Sequence, residues 1–149
     1  MGTHSFQSAV LLSVPREVAF DYLADPRNRP QWQASLLSVS VPDHRLLREP
    51  KVGLAWRETT VAMVRPRMEI TVLERPRRWA EIGRWGGVTG TLELAFHEAG
   101  GGCRIDATGN LSGRGPWAVA ARAAHLLASR AVAADLRRAG RVLSEGTAR

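Results

Sequence analysis

Apolar and polar residues alternate along much of this chain, which is the pattern of half-buried β-strands. Turn residues separate the alternating runs, above all Arg65-Pro66-Arg67 and Gly100-Gly101-Gly102. The predicted strands are residues 5–14, 36–41, 54–64, 68–74, 79–85, 89–97 and 103–111. Strands joined by short turns pair antiparallel, so this order predicts an antiparallel sheet of about seven strands.

Three segments follow a helical period instead. Pro15 begins a helix that ends at Asp25-Pro26, and residues 27–33 suit a short second helix or turn. The longest helix is predicted over residues 116–144, where alanine dominates and no proline follows Pro116. At about 1.5 Å per residue this helix would be ~43 Å long, enough to cross a small domain.

The long helix has one apolar and one basic side when its residues are plotted at about 100° each. The apolar side collects Trp117, Ala120, Ala124, Leu127, Ala128, Ala131, Val142 and Leu143. The basic side collects Arg122, Arg130, Arg137 and Arg141, while Asp135 interrupts the apolar side. Small side chains facing a sheet leave space unless larger residues fill it, so the pattern predicts a cavity, with close helix packing as the alternative.

These elements predict an α+β fold in which a curved antiparallel sheet wraps around the long C-terminal helix. The helix is the element large enough to cover the apolar face of the sheet. With 149 residues and an apolar share of 44%, we expect a single domain over residues 1–149.

The composition limits the cellular compartment and the classes of partner that we expect. The single cysteine, Cys103, excludes an internal disulfide, and we find neither a signal-peptide pattern nor an apolar run of membrane-spanning length. We therefore expect a soluble cytoplasmic protein. The net charge is +7, but the arginines are scattered apart from residues 75–78 and the helix face, without a nucleic-acid-binding motif. We predict no nucleic-acid partner.

The order of the chain resembles the SRPBCC superfamily, which includes START-related domains, polyketide cyclase/dehydrases and the birch-pollen allergen fold. The resemblance is carried by the run VPREVAFDYLADP at residues 14–26 with Asn28, Pro30 and Trp32. It continues through Val52-Gly53 before Trp56-Arg57-Glu58, the corner at residues 72–76 and the Gly102 hairpin. The resemblance implies a helix-grip fold with two short helices after the first strand and a deep apolar cavity. Members bind lipids, sterols, polyketides or hormones, and a minority are enzymes.

Flat aromatic side chains around alanine-lined space suit an apolar ligand pocket, although each of the five tryptophans could instead fill the core. The predicted ligand-binding residues are Phe20, Tyr22, Trp56, Thr60, Met68, Ile70, Trp85, Trp117, Ala121, Ala124, His125 and Ala128.

Glu58 is the candidate catalytic residue. It lies two residues after Trp56 and shares its face of the strand, so an inward Trp56 brings a carboxylate into the cavity. Burial there would raise its pKa and suit it to proton transfer, with Tyr22, Thr60 or His125 assisting. The opposite register would turn Arg57, Thr59, Val61 and Met63 inward, and the pattern does not choose between them. We expect Glu69 and Glu81 to be solvated.

The histidines His4, His44, His97 and His125 lack metal-ligand spacing. Relatives that bind iron on this fold use two histidines and a carboxylate, a set missing here. We therefore predict no metal and no cofactor, and we expect Cys103 to be unreactive.

Three functions remain open on the sequence. The leading hypothesis is binding of a small hydrophobic or aromatic molecule in the cavity. The alternative is a polyketide cyclase or aromatase that uses a cavity carboxylate as acid and base. A protein partner is also possible, as in relatives that activate a chaperone ATPase.

Overall fold

The structure is a computed structural model that describes residues 3–41 and 49–147. Its strands are β1 (Thr3–Leu12), β2 (Leu36–Ser40), β3 (Ala55–Thr60), β4 (Arg67–Glu74), β5 (Arg78–Trp85), β6 (Val88–Ala99) and β7 (Gly102–Gly113). Its helices are α1 (Arg16–Ala24), a 3-10 turn (Pro26–Asn28), α2 (Arg29–Trp32) and α3 (Trp117–Thr147). The sequence also predicts that Pro42-Asp43 closes the second strand, but these two residues lie outside the described ones.

Within the described residues, the strands form one seven-stranded antiparallel sheet in the order β1-β7-β6-β5-β4-β3-β2. Strands β2 to β7 follow one another as a meander because short turns join most of them. The two short helices carry the chain from β1 to the opposite edge of the sheet, and β7 returns to pair with β1. The predicted α+β helix-grip architecture is confirmed.

Strand β3 is shorter than the alternation predicts. It ends at Thr60, whose hydroxyl oxygen accepts a hydrogen bond from the Val64 amide at 3.1 Å. Met63 adopts a positive φ of 62° in the same turn. This side-chain hydrogen bond offers the backbone an alternative to the strand ladder, so the polypeptide reverses before residue 64.

The long helix buries a different stripe from the apolar arc that its sequence suggests. The buried side contains Ala121, Ala133, Leu136 and Ala139, whereas Leu127 is 67% exposed. The reason is that α3 packs mainly against β1 and β7. Part of the predicted apolar side is consequently turned toward solvent and toward the uncovered strands β3 to β6.

Gly140 is one residue that allows this packing. A β-carbon placed there would lie 2.6 Å from Cδ2 of Leu12 on β1. Nearer the middle of α3, the Ser8 hydroxyl of β1 donates to the Ser129 carbonyl oxygen at 2.8 Å. Of the helices described, none is long and apolar enough to cross a membrane.

Candidate functional site

A cavity of about 490 Å³ lies between the inner face of the sheet and α3. The helix contributes Ala124, Ala128, Ala131, Val132 and Asp135. The strands contribute Phe6, Glu58, Thr60, Met68, Glu81, Gly83, Arg84, Trp85, Val88, Gly90, Thr91, Leu92 and Leu111. Its volume falls in the range of about 300–1,000 Å³ that is usual for small-molecule sites.

Small residues on both walls keep this space open. Gly83 of β5 pairs with Gly90 of β6, and both line the cavity. A β-carbon on Gly83 would lie 2.7 Å from Sδ of Met68, and one on Gly90 would lie 3.1 Å from Cδ2 of Leu111. The α3 alanines face this stretch across the cavity, so at this point both walls are formed by small residues.

The inner end of the cavity holds a buried ionic cluster. Arg29, Glu58 and Glu81 are only 3%, 3% and 5% exposed. Nη1 and Nη2 of Arg29 donate to the two carboxylate oxygens of Glu81 at 2.8 and 3.1 Å. Nε of Arg29 forms an ion pair with Glu58 Oε1 at 2.7 Å. The single guanidinium therefore bridges carboxylates from two strands, β3 and β5.

One arginine cannot fully compensate two buried glutamates. Burial raises the pKa of Glu81 to about 7, and the Glu58 charge adds to this effect, against the attraction of Arg29. Burial lowers the pKa of Arg29, but the negative charges of Glu81 and Glu58 more than reverse this effect and raise it above its ordinary value. The pKa values of Arg29 and Glu81 are therefore both raised. Arg29 is paired with two carboxylates, whereas Glu81 has to share Arg29 with Glu58. Glu81 exchanges its proton near neutral pH while Arg29 stays charged.

Aromatic rings enclose the arginine. Its guanidinium carbon lies 5.4 Å from the ring centre of Trp32 and 5.5 Å from that of Trp56, within cation–π distance. The indole nitrogen of Trp56 donates to Glu58 Oε1 at 3.2 Å. The rings and carboxylates together hold a charged side chain in a site that water reaches poorly.

This cluster borders a smaller chamber of about 190 Å³. Gln33, Glu58, Met68, Glu81 and Asp135 line both the chamber and the larger cavity, so the chamber is its inner continuation. Asp135 explains the interruption of the apolar side of the helix. Its carboxylate accepts a hydrogen bond from the Ala34 amide at 3.2 Å, and burial raises its pKa despite that bond and nearby Arg138 and Arg29.

The structure settles which face of β3 points inward. Trp56 and Glu58 are buried, whereas Arg57 is exposed and donates to the Arg65 carbonyl oxygen. Among the residues predicted for the site, those that line the cavity are Glu58, Thr60, Met68, Trp85, Ala124 and Ala128. Their roles in binding or catalysis stay predictions.

The other predicted site residues lie outside this lining. Those enclosed in the core are Phe20, Trp56, Ile70 and Ala121. Trp117 packs edge-on against Trp85, with ring centres 4.9 Å apart, and covers Gly86 and Gly87. Tight packing against neighbouring side chains, rather than the cavity, explains why these residues are apolar.

Two polar predictions are also displaced from the cavity. The Tyr22 hydroxyl donates to the Gln31 side chain at 2.8 Å in an exposed position. A ring nitrogen of His125 lies 2.8 Å from the Ser5 carbonyl oxygen, and its ring stacks near His4. His125 is outside the cavity because α3 is rotated relative to the predicted arc.

The expectation that Glu81 is solvated was wrong. Glu81 shares the inward face of β5 with Trp79, just as Glu58 shares the inward face of β3 with Trp56. The same spacing of a tryptophan and a glutamate on both strands could have indicated that Glu81, like Glu58, points inward. Arg29 was missed altogether, because nothing local marks it as buried and its partner Glu81 lies 52 residues away.

Other candidate chemistry is sparse. Within residues 3–41 and 49–147, no group of three or more histidine, cysteine or acidic residues is arranged to hold a metal ion. Cys103 is fully buried, and burial raises the pKa of its thiol. The buried arginine and acids at the inner end of the cavity are therefore the candidate chemical groups in this part of the chain.

Comparison with known families agrees with this architecture. Residues 3–143 match the family described as polyketide cyclase / dehydrase and lipid transport. The chain belongs to this family. The match spans every strand and nearly all of α3, so the site described above lies wholly within the family's domain.

Solved structures share the fold at low sequence identity. TTHA0849 from Thermus thermophilus has a TM-score of 0.75 at 16% identity, covering 95% of this chain and 98% of that one. MLL2253 from Mesorhizobium loti has a TM-score of 0.73 at 14% identity, covering 95% and 97%. Ara h 8.0201 has a TM-score of 0.72 at 11% identity, covering 97% and 99%. At these identities the likeness establishes the fold alone. Among curated proteins none matches.

Proposed function

We propose that this protein binds a small hydrophobic or aromatic molecule in the cavity between the sheet and α3. The observation that carries the proposal is that both walls of the cavity contain small residues. Gly83 of β5 and Gly90 of β6 pair with each other, and the alanines of α3 face them across the cavity. Such walls leave room for a flat or extended molecule, and burial of its apolar surface contributes about 25 cal/mol per Å². Membership of a family described by cyclase, dehydrase and lipid-transport functions supports the same class of ligand.

The test is a fluorescence titration with the uncharged probe N-phenyl-1-naphthylamine. Replacing Ala128→Leu exchanges a methyl group for an isobutyl group on the helix wall of the cavity, where it competes with the probe for space. We expect at least about a tenfold loss of affinity, equivalent to about 1.4 kcal/mol. Circular dichroism and thermal melts establish that the variant is folded.

Ala123→Leu is the matched control. Ala123 lies on the same helix but is exposed and does not line the cavity. We expect this variant to bind the probe like the wild-type protein. A folded Ala128→Leu protein that keeps wild-type affinity would show that the probe binds elsewhere and would refute the proposal.

A second candidate function, acid–base catalysis of polyketide cyclisation, is favoured by one observation. A carboxyl with a pKa of about 7 faces the cavity, and such a group can both donate and accept a proton at neutral pH. This observation adds Glu81 to the original candidate, Glu58, whose Oε1 is engaged by Arg29 and Trp56. Thr60 is also in the cavity lining, whereas the other proposed assistants, Tyr22 and His125, are outside it.

The catalytic proposal is tested with a poly-β-carbonyl thioester and detection of cyclised product by mass spectrometry. We expect Glu81→Gln to reduce turnover strongly while probe binding is retained, since the amide keeps the shape of the side chain but cannot exchange a proton. Glu58→Gln tests the original candidate in the same assay. Wild-type protein that binds the thioester but forms product no faster than buffer would refute catalysis and leave the binding proposal intact.

A further inference from the structure

The inner chamber is lined by more acidic than basic side chains. Among the described residues that line it, Arg29 is the cation and Glu58, Glu81 and Asp135 are the acids. These groups come from α2, β3, β5 and α3, so the acids face the chamber from three different elements. One arginine against three carboxyls leaves an excess of acidic groups, so the net charge of the chamber becomes more negative as these carboxyls ionise.

The arginine is already engaged. Three guanidinium nitrogens face glutamate oxygens at 2.7 to 3.1 Å, two toward Glu81 and one toward Glu58. A ligand carboxylate would have to displace one of these buried partners and leave it without its cation, which is strongly unfavourable. The lone arginine is therefore poorly placed to receive an anionic ligand.

The Asp135 carboxylate is less fully engaged. It accepts one hydrogen bond from the described residues, from the Ala34 amide, whereas an ionised carboxylate can accept about four. Trp32 also lines the chamber, but its ring already holds the Arg29 guanidinium at 5.4 Å. The unused acceptor capacity of Asp135 is what favours a positively charged group.

We propose that the ligand of this cavity is a hydrophobic molecule with a protonated amine at one end, inserted amine first into the chamber lined by Glu81 and Asp135. This inference rests on the proposed binding function and specifies its ligand. The apolar part of the molecule lies in the outer cavity, against Met68, Leu92 and the α3 alanines. The loss of water around the ammonium group is offset by carboxylate oxygens that are already buried.

The experiment is displacement of N-phenyl-1-naphthylamine by decylamine, 1-decanol and decanoate at neutral pH. The three competitors share the alkyl chain and differ in the charge of the polar end. We expect decylamine to bind at least about tenfold more tightly than decanoate, a difference of about 1.4 kcal/mol, with decanol between them. Non-specific attraction works against this result, because a protein of net charge +7 attracts decanoate and repels decylamine.

Two variants locate the amine. Glu81→Gln and Asp135→Asn each remove a negative charge from the chamber, and each should reduce the ratio of decylamine to decanol affinity by about threefold or more. The ratio separates this effect from a change in cavity shape, which would move both competitors together. Glu93→Gln is the control, since Glu93 lies on β6 with a 39% exposed side chain paired to Arg78. Asp135→Asn serves alone if the buried Glu81→Gln protein does not fold.

The possible outcomes separate a failure of the amine inference from a failure of the proposed binding function. If decanoate binds as tightly as decylamine while the probe is displaced, the amine inference is wrong and the binding cavity stands. An unchanged affinity ratio in the folded chamber variants also overturns the inference. If the wild-type protein binds neither probe nor competitors, the proposed function itself fails, and the inference fails with it.

Discussion

Replacing Arg29→Met tests whether the buried ionic cluster holds the fold together. Methionine keeps an apolar stem of similar length against Trp32 and Trp56 but removes the charge that bridges Glu58 and Glu81. All three ionic residues are at least nine-tenths buried, so the remaining carboxylates cannot recover their solvation. Loss of one partner from such a cluster costs about 3–5 kcal/mol, a large share of the roughly 5–15 kcal/mol that stabilises a domain.

Urea unfolding followed by tryptophan fluorescence measures this loss. We expect it to be greatest at about pH 8 and smaller at about pH 5, because uncompensated buried carboxylates avoid part of the penalty by binding protons. The matched control is Arg78→Met, which removes exposed ion pairs with Glu93 and Glu74 and should lower stability far less than Arg29→Met does.

A triple variant with Glu58→Gln and Glu81→Gln added to Arg29→Met completes the test. It removes the unpaired charges and should regain part of the lost stability. A loss below about 1 kcal/mol for Arg29→Met at about pH 8, or a loss unaffected by pH, would refute the view that charge compensation makes Arg29 necessary.

Two further predictions concern pH and strand packing. Folding raises the pKa of Glu81 from 4.5 to about 7, so the folded protein binds the Glu81 proton more tightly than the unfolded chain does. The contribution of Glu81 to the free energy of unfolding should therefore fall as pH rises from 4.5 to about 7. Urea unfolding across that range should show a smaller decrease for Glu81→Gln, and equal slopes would contradict the prediction. Gly109→Ala should lower stability by about 1–3 kcal/mol, since its β-carbon would overlap the Phe6 ring and the Thr91 carbonyl oxygen. Gly146→Ala on α3 has open space and should not lower it; equal melting temperatures for both variants would contradict this packing.

Several features of the fold were predictable because they depend on local periods. Alternation predicted the strands, and glycine and proline turns predicted the meander that the sheet adopts. The spacing of Trp56 and Glu58 also predicted that both lie on one face, since side chains two residues apart in a strand point the same way. The resemblance of residues 14–32 and later corners correctly indicated the family.

The composition of the cavity was predictable only in part. Alanines on the long helix indicated missing volume, and Ala124 and Ala128 do line the space. The sequence did not mark Gly83 and Gly90 as the opposite wall, because their shared inward face depends on the register of β5 against β6.

What the sequence determined by itself is the set of elements, their order and the residues that share a face within each one. Only the tertiary structure decided which faces meet. Packing of β1 and β7 against α3, with Leu12 over Gly140, sets the rotation of the helix and leaves the cavity beside it open. The ionic cluster joins Arg29 of α2 to glutamates on two strands, one of them 52 residues away. A strand or helix period relates residues only within its own element, so no local pattern specifies an electrostatic contact between groups that folding alone brings together.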